Sequence, residues 1–134
     1  MSPVTVFVYG TLLRDELLRA VTGREHASLP AALANHARLR IWGAPYPGLV
    51  PARGQSTAGR LIEGVGERAL AELDRFEGEL YVRRQVITRA ESGAARRAHT
   101  YLVAPAHWHR LRREPWPEDL ARAAASSLLP LARR

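Results

Sequence analysis

Only one sustained helical period runs through this chain; elsewhere glycine and proline cut the sequence into short, β-prone runs. The period is Leu70, Leu73 and Phe76, joined by Ala69, with Glu67 in its first turn and Gly78 just past its end. Apolar residues three and four apart share one helix face, and a following glycine suits a helix stop, so the pattern predicts a helix over 66–76. The interrupted runs predict strands over 2–8, 28–34, 37–42, 57–65, 81–89 and 97–104, with short helices over 14–22 and 117–129. Strands joined by short turns, with few helices between them, favour a small mixed or antiparallel β-barrel or curved sheet flanked by helices. The fold class is α+β, mostly β.

Several of the interruptions are informative. Val4-Thr5-Val6-Phe7-Val8 alternates like a strand with one buried face, then breaks at Tyr9-Gly10-Thr11-Leu12 before the helical segment over 14–22. Such a break is either a plain connecting turn or a place where backbone N–H groups meet an anion or a carbonyl. Residues 43–51 hold Pro45, Pro47 and Pro51 with Gly43 and Gly48, which excludes helix and central strand and predicts a rigid loop packed down by Tyr46, Leu49 and Val50. Pro47 and Pro51 are both open to a cis peptide bond. Gly54-Gln55-Ser56 reads as a turn, Gly59 suggests a bulge, and Glu91-Ser92-Gly93 is a hairpin turn.

The 134 residues suit one domain, with a core over 4–104 and a tail over 105–134. The start of the chain shows no basic segment followed by an apolar one, and no apolar run reaches the ~18 residues of a membrane span, so a cytoplasmic protein is expected. Cysteine is absent, which removes disulfides, thiolate nucleophiles and Cys-ligated metals together. The net charge of +7 raises the question of nucleic acid. All 20 basic residues are arginine, however, and they are scattered in singles and pairs such as Arg83-Arg84 and Arg112-Arg113 rather than gathered in a run. That fits a composition bias better than a phosphate-tracking surface, where lysine is also serviceable.

Glu77 is the main candidate for chemistry. It falls at the very end of the expected central helix, where the helix dipole disfavours a carboxylate, and Asp74 lies one turn earlier on the same side. Both raise its pKa, and burial would add to the rise, giving a proton acceptor and donor suited to neutral pH. The competing reading is an exposed glutamate at a frayed helix end. His107-Trp108-His109 could hold a metal between two imidazoles but lacks a third ligand. No Gly-x-Ser-x-Gly elbow, phosphate loop or dinucleotide fingerprint occurs. Asp74 and Glu77, on one helix, do not form the opposed carboxylates of a glycosidase.

Several segments occur in one order: Val6-Phe7-Val8-Tyr9-Gly10-Thr11-Leu12, Tyr46-Pro47-Gly48-Leu49-Val50, Gly59-Arg60-Leu61-Ile62-Glu63, Leu73-Asp74-Arg75-Phe76-Glu77-Gly78, Tyr81-Val82-Arg83-Arg84 and Thr100-Tyr101-Leu102-Val103. Each alone is unspecific, but the ordered set resembles the γ-glutamylcyclotransferase-like family, which includes γ-glutamylamine cyclotransferases and AIG2-like proteins. The resemblance runs from about Thr5 to Ala104. It implies a small β-barrel with a cavity at one end, and conversion of a γ-glutamyl compound to 5-oxoproline plus a free amine or amino acid. It implies Glu77 as the catalytic acid/base and Tyr9, Gly10, Thr11 and Leu12 as the substrate loop. It also implies that Tyr81 and Arg83 bind substrate. No cofactor or metal is expected.

The partner expected is a small γ-glutamyl molecule, with neither nucleic acid nor membrane, and the protein would be a monomer or weak homodimer. The alternative is a non-catalytic small-molecule-binding or regulatory protein on the same fold. Residues 43–51 and the tail around Trp108 and Trp116 are the segments expected to choose the leaving group.

Overall fold

The computed structural model describes residues 2–116; the helix expected over 117–129 lies outside the described residues. Strand β1 (Val4–Val8) leads through a 3-10 turn (Thr11–Leu13) into helix α1 (Asp15–Thr22). Two long strands follow, β2 (Ser28–Ile41) and β3 (Pro47–Val65), then helix α2 (Glu67–Glu77). A 3-10 turn (Gly78–Leu80) opens the hairpin of β4 (Tyr81–Ala90) and β5 (Ala95–Val103). A 3-10 segment (Pro105–Arg110) and β6 (Leu111–Pro115) complete the described chain.

The strands run in the order β3-β1-β5-β4-β2-β6, and a further β3–β2 pairing closes the first five into a barrel with β6 outside on β2. All pairings are antiparallel except β1 with β5, which is parallel at Val6 and His99, so the barrel is mixed as expected.

Each face of β1 is buried, where the alternating run had suggested one. Phe7 and Tyr9 join Ala31, Leu33, Leu49, Leu61, Ala98 and Val86 in a cluster drawn from all five barrel strands, which therefore fills the interior. Val6 and Val8 face the opposite way, into a second cluster with Leu17, Leu18 and Val21 of α1 and Leu70 and Leu73 of α2. A strand sandwiched between a lumen and two helices needs apolar residues at every position, and threonine's methyl and hydroxyl blur the alternation in the sequence. Gly59 packs where its own Cβ would lie 2.7 Å from the Phe7 ring, close to the β1 backbone. It marks a close approach, and the β2–β3 register runs through it unbroken. The irregularity on β3 lies nearer Gly64, whose φ is +67°, where β1 shifts register between Val4 and Val6.

The expected loop over 43–51 is only partly a loop. Pro47 to Pro51 begins β3 and pairs with β2 from Arg40 to His36. The prolines are tolerated because β1 pairs with β3 only from Arg60 onward. This end of β3 thus has a ladder on one side, and a missing N–H on the other side costs no strand bond. No peptide bond is cis among the described residues. β2 is likewise one strand instead of two, with Asn35 at φ +60° absorbing a register shift opposite the segment around Gly54. The Asn35 amide oxygen accepts the Gly54 N–H at 3.0 Å.

Candidate active site

At the junction of β1, β3 and α2 the barrel carries a cavity of about 480 Å³. Its wall includes Tyr9, Gly10, Thr11 and Leu12 from the first turn, Tyr46 and Pro47 from the start of β3, and Phe76 and Glu77 from the end of α2, with Tyr81 and Tyr101 beside them. Residues about 65 positions apart in sequence are thus brought to one space.

The turn is shaped for close approach. An alanine Cβ at Gly10 would lie 2.6 Å from Pro47 Cγ, so only glycine lets the two segments meet. The Tyr9 carbonyl accepts from Arg38 at 2.6 Å, and the Tyr9 hydroxyl donates to the Tyr101 carbonyl at 2.6 Å. The 3-10 turn closes with Leu13 N–H on the Gly10 carbonyl at 3.0 Å. The amides of Thr11 and Leu12 head that turn, where no carbonyl inside it can reach them. Gly10→Ala is expected to force Pro47 aside, with a stability loss of about 1–3 kcal/mol; thermal melting checks it.

Glu77 closes α2 immediately before Gly78, whose φ of +72° ends the helix and whose N–H returns to the Asp74 carbonyl. The residue is half-buried and borders the cavity. Its carboxyl is pushed up to about 8, first by loss of solvent and second by the charge of Asp74. Around it Tyr9, Tyr81 and Tyr101 all have pKa values raised by burial in the first place, so they stay protonated and act as donors. The Tyr81 hydroxyl donates to the Pro47 carbonyl, which ties the floor of the cavity to β3.

A folded-state pKa above the unfolded value means that the fold binds this proton more tightly than the unfolded chain does. That stabilisation is complete below about pH 4.5 and is lost as pH rises through about 8. Glu77→Gln, which cannot ionise, is therefore expected to melt close to the parent protein at about pH 4, where the stabilisation is complete. At pH 9 it should melt higher, by on the order of 5 °C. Calorimetry at the two pH values measures the difference.

Arg83 does not join the other expected residues. It lies outside the cavity, on the far side of Asp74, with Nε 2.9 Å from Asp74 Oδ1 and Nη2 3.3 Å from Oδ2. Its place on β4 two residues beyond Tyr81 puts both side chains on the same strand face, but Asp74 is nearer and of opposite charge. The leaving-group segments also differ from expectation. Tyr46 and Pro47 do line the cavity, whereas Trp108 is half-exposed elsewhere and Trp116 is buried under Arg38. Glu72 and Arg75, paired at 3.2 Å on α2, supply the charged part of the wall in their place. Among the described residues no group of three or more His, Asp or Glu could hold a metal, and no helix is long and apolar enough to cross a membrane.

Residues 6–118 match the family described as gamma-glutamyl cyclotransferase, AIG2-like. The chain belongs to this family. AIG2-like protein D of Arabidopsis thaliana is 32% identical over 102 residues, covering 75% of this chain and 67% of that protein. The chain spans between 47% and 67% of the length of the Arabidopsis AIG2-type relatives that it matches. Among solved structures, an Arabidopsis thaliana protein known in solution superposes with a TM-score of 0.78 at 25% identity, over 99% of this chain and 81% of that one. A structure described as gamma-glutamyl cyclotransferase superposes with a TM-score of 0.68 at 18% identity, over 76% of this chain and 67% of the other. At that identity the likeness shows that the two share a fold.

Proposed function

We propose that this family member is a γ-glutamylcyclotransferase-type enzyme that releases 5-oxoproline and an amine or amino acid. One observation carries the reading: Glu77, whose carboxyl is pushed up to about 8 by loss of solvent, lines the same cavity as Thr11 and Leu12 of the first turn. Family membership supports it.

The substrate brings its own nucleophile. Its α-amine lies four bonds from the γ-carbonyl carbon, so folding the glutamyl chain makes attack intramolecular, and good orientation there is worth ~7–11 kcal/mol. The amine nitrogen bonds to the γ-carbonyl carbon, Glu77 removes a proton from that nitrogen, and the carbonyl becomes a tetrahedral oxyanion. Collapse breaks the original amide C–N bond, and Glu77 returns its proton to the departing nitrogen. Atoms balance with no water consumed and no cofactor needed. A carboxyl near pKa 8 suits both steps, because its proton affinity approaches that of the α-amine, ~7.7–8.0 in peptides. The Thr11 and Leu12 amides are the proposed donors to the oxyanion or to the substrate α-carboxylate, with Tyr9, Gly10 and Tyr81 shaping the pocket around the glutamyl group.

Incubation with a panel of γ-glutamyl amino acids and γ-glutamyl amines, with 5-oxoproline measured by mass spectrometry, tests the proposal. Binding of such compounds without 5-oxoproline from any of them would reject the enzymatic reading in favour of a ligand-binding role.

A further inference from the structure

Behind the cavity wall lies a compact polar network that the reaction above does not use. Asp74 is its centre. It takes the two Arg83 hydrogen bonds and a third from the Tyr101 hydroxyl at 2.7 Å. Arg83 Nη1 reaches His99 Nδ1 at 3.0 Å, and because a guanidinium only donates, Nδ1 accepts. Desolvation and then the Arg83 charge hold the His99 pKa below its ordinary value. Arg83 thus faces a carboxylate on one side and a neutral imidazole on the other. These groups line a second, shallower cleft together with Gly78, Arg84 and Gln85, and Tyr81 and Tyr101 form the partition between it and the first cavity.

Asp74 and Glu77 stand three residues apart on α2, so their side chains are neighbours on one face, roughly 5–6 Å apart at Cβ. The groups that face Glu77 from other elements are Tyr9 just beyond β1, Tyr81 on β4 and Tyr101 on β5, all neutral phenols. On its own helix Glu72 and Arg75 pair with each other. Asp74 is accordingly the charge that Glu77 senses most, and Arg83 is the countercharge placed on Asp74's other side.

We propose that Asp74 and Arg83 form a charge-setting pair beside the cavity: Asp74 is a positioning residue whose charge acts on the Glu77 carboxyl one turn away, and Arg83, hydrogen-bonded to Asp74, limits how much of that charge reaches it. The proposal rests on the reading of Glu77 as acid/base for its catalytic consequence, though not for its electrostatic one. Removing Asp74's charge should lower the affinity of Glu77 for its proton, while removing Arg83's charge should raise it. A merely structural role would move both in the same direction, toward that of an exposed carboxyl, as the site loosened.

The test is a carbon-13 NMR titration of the Glu77 carboxyl in the full chain, for the parent protein, Asp74→Asn, Arg83→Gln and Arg83→Lys, beside the pH profile of 5-oxoproline formation. Asp74→Asn is expected to lower the Glu77 midpoint by about one pH unit and Arg83→Gln to raise it, the size of a single neighbouring charge. Arg83→Lys, which keeps the charge, should stay near the parent. An unmoved or raised midpoint in Asp74→Asn overturns the proposal, even if Arg83→Gln fails to fold, and so do shifts of the same sign in both variants. A protein that makes no 5-oxoproline yet shows the opposite shifts loses the cyclotransferase reading alone. One that is active with unmoved midpoints loses only the charge-setting pair.

Discussion

Glu77→Gln is expected to lower kcat/KM for 5-oxoproline formation by about 10²–10⁴-fold, which is ~3–5 kcal/mol of barrier. Glutamine keeps the size and one carbonyl oxygen, so the cavity should stay intact and substrate binding should change little. It cannot accept the α-amine proton, and it cannot return a proton to the leaving nitrogen. The parent enzyme should gain activity as pH rises through about 8, where Glu77 loses its proton. At higher pH activity should level off, because the neutral amine still carries the proton that Glu77 takes and returns. The acid limb belongs to Glu77 and should vanish in the variant, leaving a small rate that varies with amine ionisation alone. Steady-state kinetics between pH 6 and pH 10 measure both features. A variant with full activity, or one with the acid limb unchanged, would remove Glu77 from the reaction. The same substitution should raise the melting temperature at alkaline pH, so loss of activity and gain of stability together identify a functional group kept against the preference of the fold.

Much of this site was legible before any coordinates, for reasons that can be named. The α2 helix declares itself by its period and glycine stop, and a carboxylate at its last position is electrostatically misplaced unless something uses it. The break at Gly10 is equally plain. What local reading cannot supply is the closure that brings the two together, because that depends on β3 pairing with both β1 and β2. The prolines at 47 and 51 hid the start of β3, since a proline argues against a strand until it is known which strand edge lacks a partner. One missed contact was recoverable. The β4–β5 hairpin turns around Ser92, and Arg83 and Tyr101 are equidistant from it, so the turn alone gives their pairing. Both then meet Asp74, which the hairpin register cannot reveal because Asp74 comes from α2. Arg83 was expected at the substrate only because the family resemblance implies it, not because any local feature of the sequence places it there. Its actual partner is a carboxylate of the protein.

Leu73→Ala is the substitution expected to cost most in stability, about 2–5 kcal/mol. Leu73 is fully buried, and it lies one turn before Glu77 on the face that seats α2 against Leu17 and Leu18 of α1 and the outer face of β1. Few atoms around it can collapse into the gap, because the barrel strands beneath are fixed by their ladders. Melting should fall by on the order of 10 °C, since 1 kcal/mol corresponds to ~2–8 °C across domains of this size range. The more telling consequence lies at the helix end. Loss of solvent is the first cause of the high pKa of Glu77, and Asp74 only the second. A helix that seats less firmly admits water beside the carboxyl, so the acid limb of the pH profile should move down toward the ordinary carboxylate range while maximal turnover falls. Leu61→Ala is the comparison. Leu61 is as fully buried but packs in the barrel interior with Phe7 and Leu33, in a cluster that includes no residue of α2. It should cost similar stability and leave the acid limb where it is, when both are measured well below their melting temperatures. If the two variants shift the limb equally, the elevation of Glu77 depends on the stability of the whole fold; if Leu73→Ala alone shifts it, the seat of α2 on the barrel is what prepares the carboxyl for proton transfer.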